Sequence, residues 1–185
     1  GGICCGRPML IAGRKDAAME MIEKNTKIIK ASGASVLLVN CPICYKIFKE
    51  NYSLDGIEIL HHTEYIDRLL KEGRISVAKS DLRYVYHDPC ELGRGCGIYD
   101  QPRSVISSAG TLVECDMNGN ESICCGSSIG SLRLGFDKRK ALTENALHHL
   151  TADSPDVIVT ACPLCKSTFG RYADRPVADI AEIFD

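Results

Sequence analysis

Apolar residues follow two rhythms along this chain. Short, unbroken runs rich in β-branched residues recur at 35–39 (SVLLV), 57–60 (IEIL), 83–87 (RYVYH), 111–115 (TLVEC) and 156–160 (DVIVT). Each run predicts a strand. Between them, apolar residues return every three or four positions. In residues 14–33, Ala18, Met21, Ile22, Ile28 and Ile29 share one helical face; in 137–152, Ala141, Leu142, Ala146, Leu147 and Leu150 do so. Asp137 is placed to cap the second of these helices, and Gly33 to stop the first. Residues 62–73 and 99–110 are also expected to be helical. The end of the chain, RPVADIAEIFD (175–185), echoes 61–70, with an apolar entry and then a Glu-containing helix. Strands alternating with helices predict βαβ units with largely parallel pairing.

The pattern occurs twice. Cys4-Cys5-Gly6 matches Cys124-Cys125-Gly126, and SVLLVNCPICYKIF (35–48) matches DVIVTACPLCKSTF (156–169). The two matches are offset by 120 and 121 residues, so the register hardly drifts. In each copy a Cys-Cys-Gly turn leads to a helix, then a strand, then Cys-Pro-x-Cys at the start of another helix. Proline suits that first turn because its missing N–H is not needed there. The expected fold class is therefore α/β: two pseudo-symmetric Rossmann-like βαβ lobes with largely parallel sheets. The first lobe covers 1–80 and the second 81–185, without a low-complexity linker; 115–122 is the most polar loop candidate.

Composition narrows the class. With 45% hydrophobic and 25% charged residues the chain has the mix of a soluble globular protein. Twenty-two basic against 24 acidic residues, without a basic stripe, argue against nucleic acid as a partner. The apolar runs are strand-length, too short to cross a bilayer, and no signal-peptide pattern is visible. The first residue is Gly and a motif follows at once, so an excised or processed chain is expected. The outlier is cysteine, with 11 residues. An odd count in an alternating α/β chain favours reduced thiols kept for metal over a disulfide framework.

The second repeat shows how those thiols would meet. Thirty-three residues lie between Cys90 and Cys124, thirty-six between Cys125 and Cys162, and two between Cys162 and Cys165. Cys90 and Cys162 each follow a strand. In an open parallel sheet both would emerge at the carboxyl rim, where ligands gather. The cysteines of Cys-Pro-x-Cys would sit on a first helical turn, where free N–H groups favour anionic sulfur. Neighbouring residues usually point apart, so Cys124 and Cys125 are expected to touch different atoms of one polynuclear cofactor. A vicinal disulfide is the bland alternative. Five converging thiols exceed the four of structural zinc or of a cubane cluster. The excess favours an iron–sulfur cluster of unusual shape and leaves zinc open.

HDPC (87–90), the two CCG triplets and TACPLCKSTF (160–169) resemble the cysteine-rich CCG domain family. That domain occurs twice in one of the subunits of heterodisulfide reductase, and in iron–sulfur subunits of glycolate, lactate and anaerobic glycerol-3-phosphate oxidising systems. The resemblance covers nearly the whole chain. It implies that Cys90, Cys124, Cys125, Cys162 and Cys165 hold a noncubane [4Fe–4S] cluster. It also implies that Cys4, Cys5, Cys41 and Cys44 are four ligands of a first site. The chain departs from the pattern there, since no cysteine precedes Cys4. That site would be empty, hold zinc through four ligands or carry a degraded cluster.

By resemblance the chain is an electron-transfer module, the C-terminal part of a flavin-linked oxidase or of a heterodisulfide reductase-like complex. Its donor would be a flavoprotein or an iron–sulfur protein, and its acceptor a membrane carrier, a partner or a disulfide. Flavin is expected only on a partner or an upstream domain. The expected location is cytoplasmic, with peripheral attachment to a membrane through a partner left open. Cluster-based disulfide reduction and a zinc-stabilised interaction domain are the alternatives.

Other residues carry blander expectations. Cys96 and Cys115 read as small hydrophobes. His87 and Asp88 read as turn-forming or buried structural residues, with contact to cluster sulfur as the functional alternative. The pairs His61-His62 and His148-His149 are expected at the surface, because adjacent rings diverge. GSSIGSLRLG (126–135) lacks the lysine and the glycine spacing of a nucleotide loop.

Overall fold

The computed structural model describes residues 4–184. The first repeat runs through α1 (Arg7–Ile11), α2 (Lys15–Ala31), β1 (Val36–Val39), α3 (Pro42–Asn51), β2 (Glu58–His61) and α4 (His62–Lys71). The second opens with β3 (Arg83–His87), α5 (Gly93–Cys96), α6 (Asp100–Ala109) and β4 (Thr111–Val113). It closes with α7 (Phe136–Thr151), β5 (Val157–Thr160), α8 (Pro163–Phe169), β6 (Val177–Asp179) and a 3₁₀ turn, Ile180–Phe184.

Every strand pair is parallel. β1 and β2 form a two-stranded sheet, and the second sheet has the order β4-β3-β5-β6. His87 lies opposite Thr160, so β3 and β5 end level with each other. From this central pair the chain steps outward in opposite directions, β3 to β4 and β5 to β6. The gap between β3 and β5 is therefore a topological switch point, the place where an open parallel sheet leaves a crevice.

The repeat is visible in three dimensions. The series α2, β1, α3, β2, α4 corresponds to α7, β5, α8, β6 and the final 3₁₀ turn. One difference matters: β5 is paired on both edges, whereas β1 pairs only with β2 among the described residues. One apolar cluster joins the repeats. It packs Val39 and Tyr45 from the first against Tyr84, Tyr86, Val105, Ile106, Val159 and Ile180 from the second. Satellite clusters form around Cys5, Ile22 and Ile47 in the first repeat and around Ile158, Cys165 and Phe169 in the second.

Several local expectations need correction. α7 starts from Gly135, and Asp137 sits inside its first turn, complementing the helix dipole without capping it. Ile28 is 49% exposed and Ala141 is also exposed. The buried face of α2 runs through Ala18, Ile22 and Asn25 and that of α7 through Thr143, Ala146, Leu147 and Leu150, so both residues lie off it. Residues 177–179 form a strand absent from the sequence expectation, and 180–184 wind as 3₁₀ instead of α. No helix among the described residues is long and apolar enough to cross a membrane.

Candidate metal centre

Both Cys-Pro-x-Cys segments adopt the expected geometry. Cys41 and Cys162 are extended N-caps, Pro42 and Pro163 open the helices, and Cys44 and Cys165 fall on the first turn. Both Cys-Cys-Gly turns are also alike. Gly6 and Gly126 have φ of 92° and 85°, a left-handed conformation that side-chain-bearing residues avoid. Each glycine also lets its turn lie against a helix. A Cβ on Gly126 would stand 2.6 Å from the carbonyl oxygen of Arg139, and one on Gly6 would stand 3.3 Å from that of Ala18. Polar groups then pin the turns. Thr143 Oγ1 donates to the Cys125 carbonyl at 2.8 Å, Tyr52 donates to the Cys5 carbonyl at 3.0 Å, and Asn25 donates to the Cys4 carbonyl at 3.1 Å.

The structure brings Cys90, Cys124, Cys125, Cys162 and Cys165 together at the β3–β5 crevice. Cys165 Sγ donates to Cys125 Sγ at 3.4 Å. The remaining links are looser and are expressed in titration. Hydrogen bonds from Cys125 and Cys90 draw the Cys124 thiol down to about 2. The same bonds, together with burial, raise Cys90 and push Cys125 up to about 12. Cys165 donates to Cys125 and Cys162, so it is raised and Cys162 is lowered. The run is continuous: Cys90, Cys124, Cys125, Cys165, Cys162. The adjacent pair divides its outer partners, Cys124 facing Cys90 and Cys125 facing Cys165, but the two side chains also bond to each other and do not simply point apart.

The first site repeats the inner part of this run. Cys44 donates to Cys41 and Cys5, which are both lowered to about 6 while Cys44 itself is raised. Cys4 is exposed and no counterpart of Cys90 is present in the chain. The sites are neighbours, close enough for the charge of Cys41 to oppose part of the lowering of Cys162.

A cavity of about 230 Å³ opens onto the second site, lined by Cys90, Cys125, Cys162 and Cys165 beneath an apolar rim of Ile11, Ile43 and Leu164. A wider hollow of about 540 Å³ lies against Cys4, Cys5, Cys41 and Cys44. Glu91 is the one charged side chain among the described residues lining the smaller cavity. Anionic sulfur buried without basic lining is costly unless a cation compensates it. That donor set fits a thiophilic metal centre. The thiols link pairwise, however. Among the described residues no three His, Cys, Asp or Glu side chains stand at the spacing of a single-ion site.

Arg103, Gly119 and Ser122 support the site from positions where spacing gave no signal. Asp88, two residues before Cys90, is buried and accepts two hydrogen bonds from Arg103, both at 2.8 Å, and one from the Gly119 amide. Ser122 donates to the Asp88 carbonyl. These bonds tie the loop bearing Cys90 to the loop bearing Cys124, so the structural expectation for Asp88 holds. His87 is fully enclosed, its ring set edge-on to Phe169 with centroids 4.7 Å apart. Burial lowers it to about 4, and its Nε2 has no partner among the described residues. Cys115 is buried in the core beside the site, and Cys96 is half-buried at the edge of the shared core.

The expectation for His61-His62 fails. Both are buried, with ring centroids 4.4 Å apart. They straddle the junction from β2 into α4, so the diverging geometry of a single strand or helix does not apply. His62 Nε2 meets Asp179 at 3.0 Å across the repeats. His61 lies against the carbonyls of Asn40 and Ala161, the residues before Cys41 and Cys162. His148 is exposed and His149 half-buried against Asp116.

A duplicated parallel α/β fold with a run of interacting thiols at its switch point defines a cysteine-rich domain of the Cys-Cys-Gly type. The chain belongs to the CCG cysteine-rich domain family, whose signature matches residues 1–49 and 84–170. It is 33% identical over 189 residues to one subunit of the dihydromethanophenazine:CoB–CoM heterodisulfide reductase of Methanosarcina acetivorans, covering 96% of this chain and 46% of that protein. It is 30% identical to EtfAB:quinone oxidoreductase of Syntrophomonas wolfei, covering 97% and 28%. It is 29% identical to one subunit of the fumarate reductase (CoM/CoB) of Methanothermobacter marburgensis, covering 100% and 38%. The chain thus spans less than half the length of each of these relatives.

Proposed function

We propose that Cys90, Cys124, Cys125, Cys162 and Cys165 hold an iron–sulfur cluster and that the chain is an electron-transfer module. The observation that carries this reading is the unbroken run of five thiols at the β3–β5 crevice, two of them lowered, in a cavity without basic lining. Bound there, a cluster supplies one-electron chemistry at a potential set by its ligands and nearby hydrogen bonds. The protein's part is to gather the thiols, line the cavity mouth with apolar Ile11, Ile43 and Leu164, and keep the enclosed His87 within reach of the Cys124 charge. Five thiolates exceed a cubane's four, which supports the noncubane [4Fe–4S] form. The kinship with redox-enzyme subunits supports a flavoprotein or iron–sulfur donor on a partner or another domain, and a membrane carrier as acceptor.

A second reading is reduction of a disulfide at the cluster. The opening of the 230 Å³ cavity onto four of the five thiols favours it, because a small substrate has a route to the metal.

Anaerobic iron and sulfide analysis with electron paramagnetic resonance of the full-length protein tests the main reading. About four iron and four sulfide per second site, reduced from wild type by Cys125→Ser, is the expected result. Stoichiometric zinc without iron would make the chain a zinc-stabilised domain instead. Turnover of disulfides by the loaded protein separates a reductase from a relay.

A further inference from the structure

A separate cavity of about 150 Å³ lies beside the turn that follows Cys125 and shares no lining residue with the thiol cavity. Arg139, Lys140 and Arg171 line it together with Ser127, Tyr172 and Phe136, and no acidic residue does so among the described residues. Two threonines complete the wall, but their hydroxyls are committed: Thr143 donates to the Cys125 carbonyl and Thr168 to that of Leu164. Among the described residues, the donors that remain are Arg139, Arg171, the hydroxyls of Ser127 and Tyr172, and Lys140 beyond its one loose pairing.

The charges are poorly answered within the chain. Lys140 has a loose pairing with Glu144 at 3.5 Å, both side chains being well exposed. Arg139 and Arg171 make no ion pair among the described residues, and Arg139 Nε is shut off from solvent without an acceptor. Three cations around one small cavity repel one another unless an anion sits between them. The cavity also lies at the start of α7, whose first residue, Phe136, lines it, so the positive end of a 16-residue helix adds to the field.

We propose that this cavity binds a phosphate-type dianion, either free or as the phosphate end of a nucleotide. Arginine and lysine around hydroxyl donors match the several acceptor oxygens of a tetrahedral dianion. Phe136, 62% exposed at the mouth, offers a face on which a base would stack. This site is independent of the electron-transfer reading.

Calorimetric titration of the full chain at fixed ionic strength tests it. Inorganic phosphate is expected to bind saturably at one site, with affinity reduced about tenfold or more in Arg171→Gln and in Lys140→Gln. Acetate at the same ionic strength is expected not to compete. Both replaced side chains are exposed, and an unchanged melting temperature of each unliganded variant confirms folding. Adenosine monophosphate separates the sources. Tighter binding than phosphate, lost in Phe136→Ala, identifies a nucleotide; equal binding identifies the free anion. Absence of saturable binding by either probe, or affinity unaltered in both charge variants, overturns the proposal.

Discussion

Cys44 and Cys165 keep their protons because each donates to two other sulfurs at once, the first cysteine of its own motif and the second cysteine of the Cys-Cys pair. Proton sharing thus already couples the groups that a metal would bridge. Two buried histidines, His61 against the residues that precede Cys41 and Cys162 and His87 within reach of the Cys124 charge, are in the opposite condition, held uncharged. Burial lowers His61 to about 3 and His87 to about 4. Unfolding returns each to the ordinary histidine value near 6.5, so below that pH the unfolded chain binds protons that the folded chain refuses. Stability from this source is complete above about pH 6.5 and is lost as the pH falls toward about 4 for His87 and about 3 for His61. The depressed thiols Cys5, Cys41, Cys124 and Cys162 act with the same sign. Urea unfolding of the reduced, metal-free chain should lose up to about 1.4 kcal/mol per pH unit per buried histidine between pH 6 and 5. His61→Asn should flatten that slope. Stability that is level or rises on acidification would contradict the burial of neutral imidazoles.

At the scale of elements, the helix following each Cys-Cys-Gly turn holds that turn against itself. Gly126 lies closer to α7 than Gly6 does to α2, as the distances of their hypothetical Cβ atoms show, 2.6 Å against 3.3 Å. Replacing either glycine by alanine incurs the left-handed penalty of about 1–2 kcal/mol. At Gly126 the overpacking of about 1–3 kcal/mol adds to it, because the obstacle is backbone. Gly126→Ala should therefore destabilise the chain by roughly 3 kcal/mol and Gly6→Ala by about half as much. Chemical denaturation of the two variants checks the order, and an equal or reversed effect would show that the turns do not pack as described. These elements were legible because their signals are local. Proline after Cys41 and Cys162 marks a helix start whatever surrounds it, and β-branched runs mark β1, β3 and β5. The strand 177–179 escaped notice because it is three residues long and owes its state to pairing with β5. Ile28 escaped because periodicity assigns a face to a helix but not the extent of its cover.

The whole molecule places two copies of one motif so that residues of both Cys-Pro-x-Cys helices line the same cavities. Leu164 lines both thiol cavities, and Ile43 from the first copy shields the second site. Spacing alone led to the five-thiol set, since strand ends in a parallel sheet share a rim and the repeat fixed which cysteines correspond. It did not lead to Arg103, which joins the loops only through Asp88, nor to His61. The surroundings of His61 come from residues far apart in sequence, Asn40 and Ala161, that meet where the repeats face each other. The central claim is that Cys90, Cys124, Cys125, Cys162 and Cys165 act as one centre. Alkylation of the anaerobically loaded full-length protein, before and after chelation, with mass spectrometry of each cysteine, tests it most directly. The account predicts that these five thiols are shielded together and become reactive together when the metal is removed, while Cys96 and Cys115 do not change. Release of only some of the five, or of a different set, would contradict it.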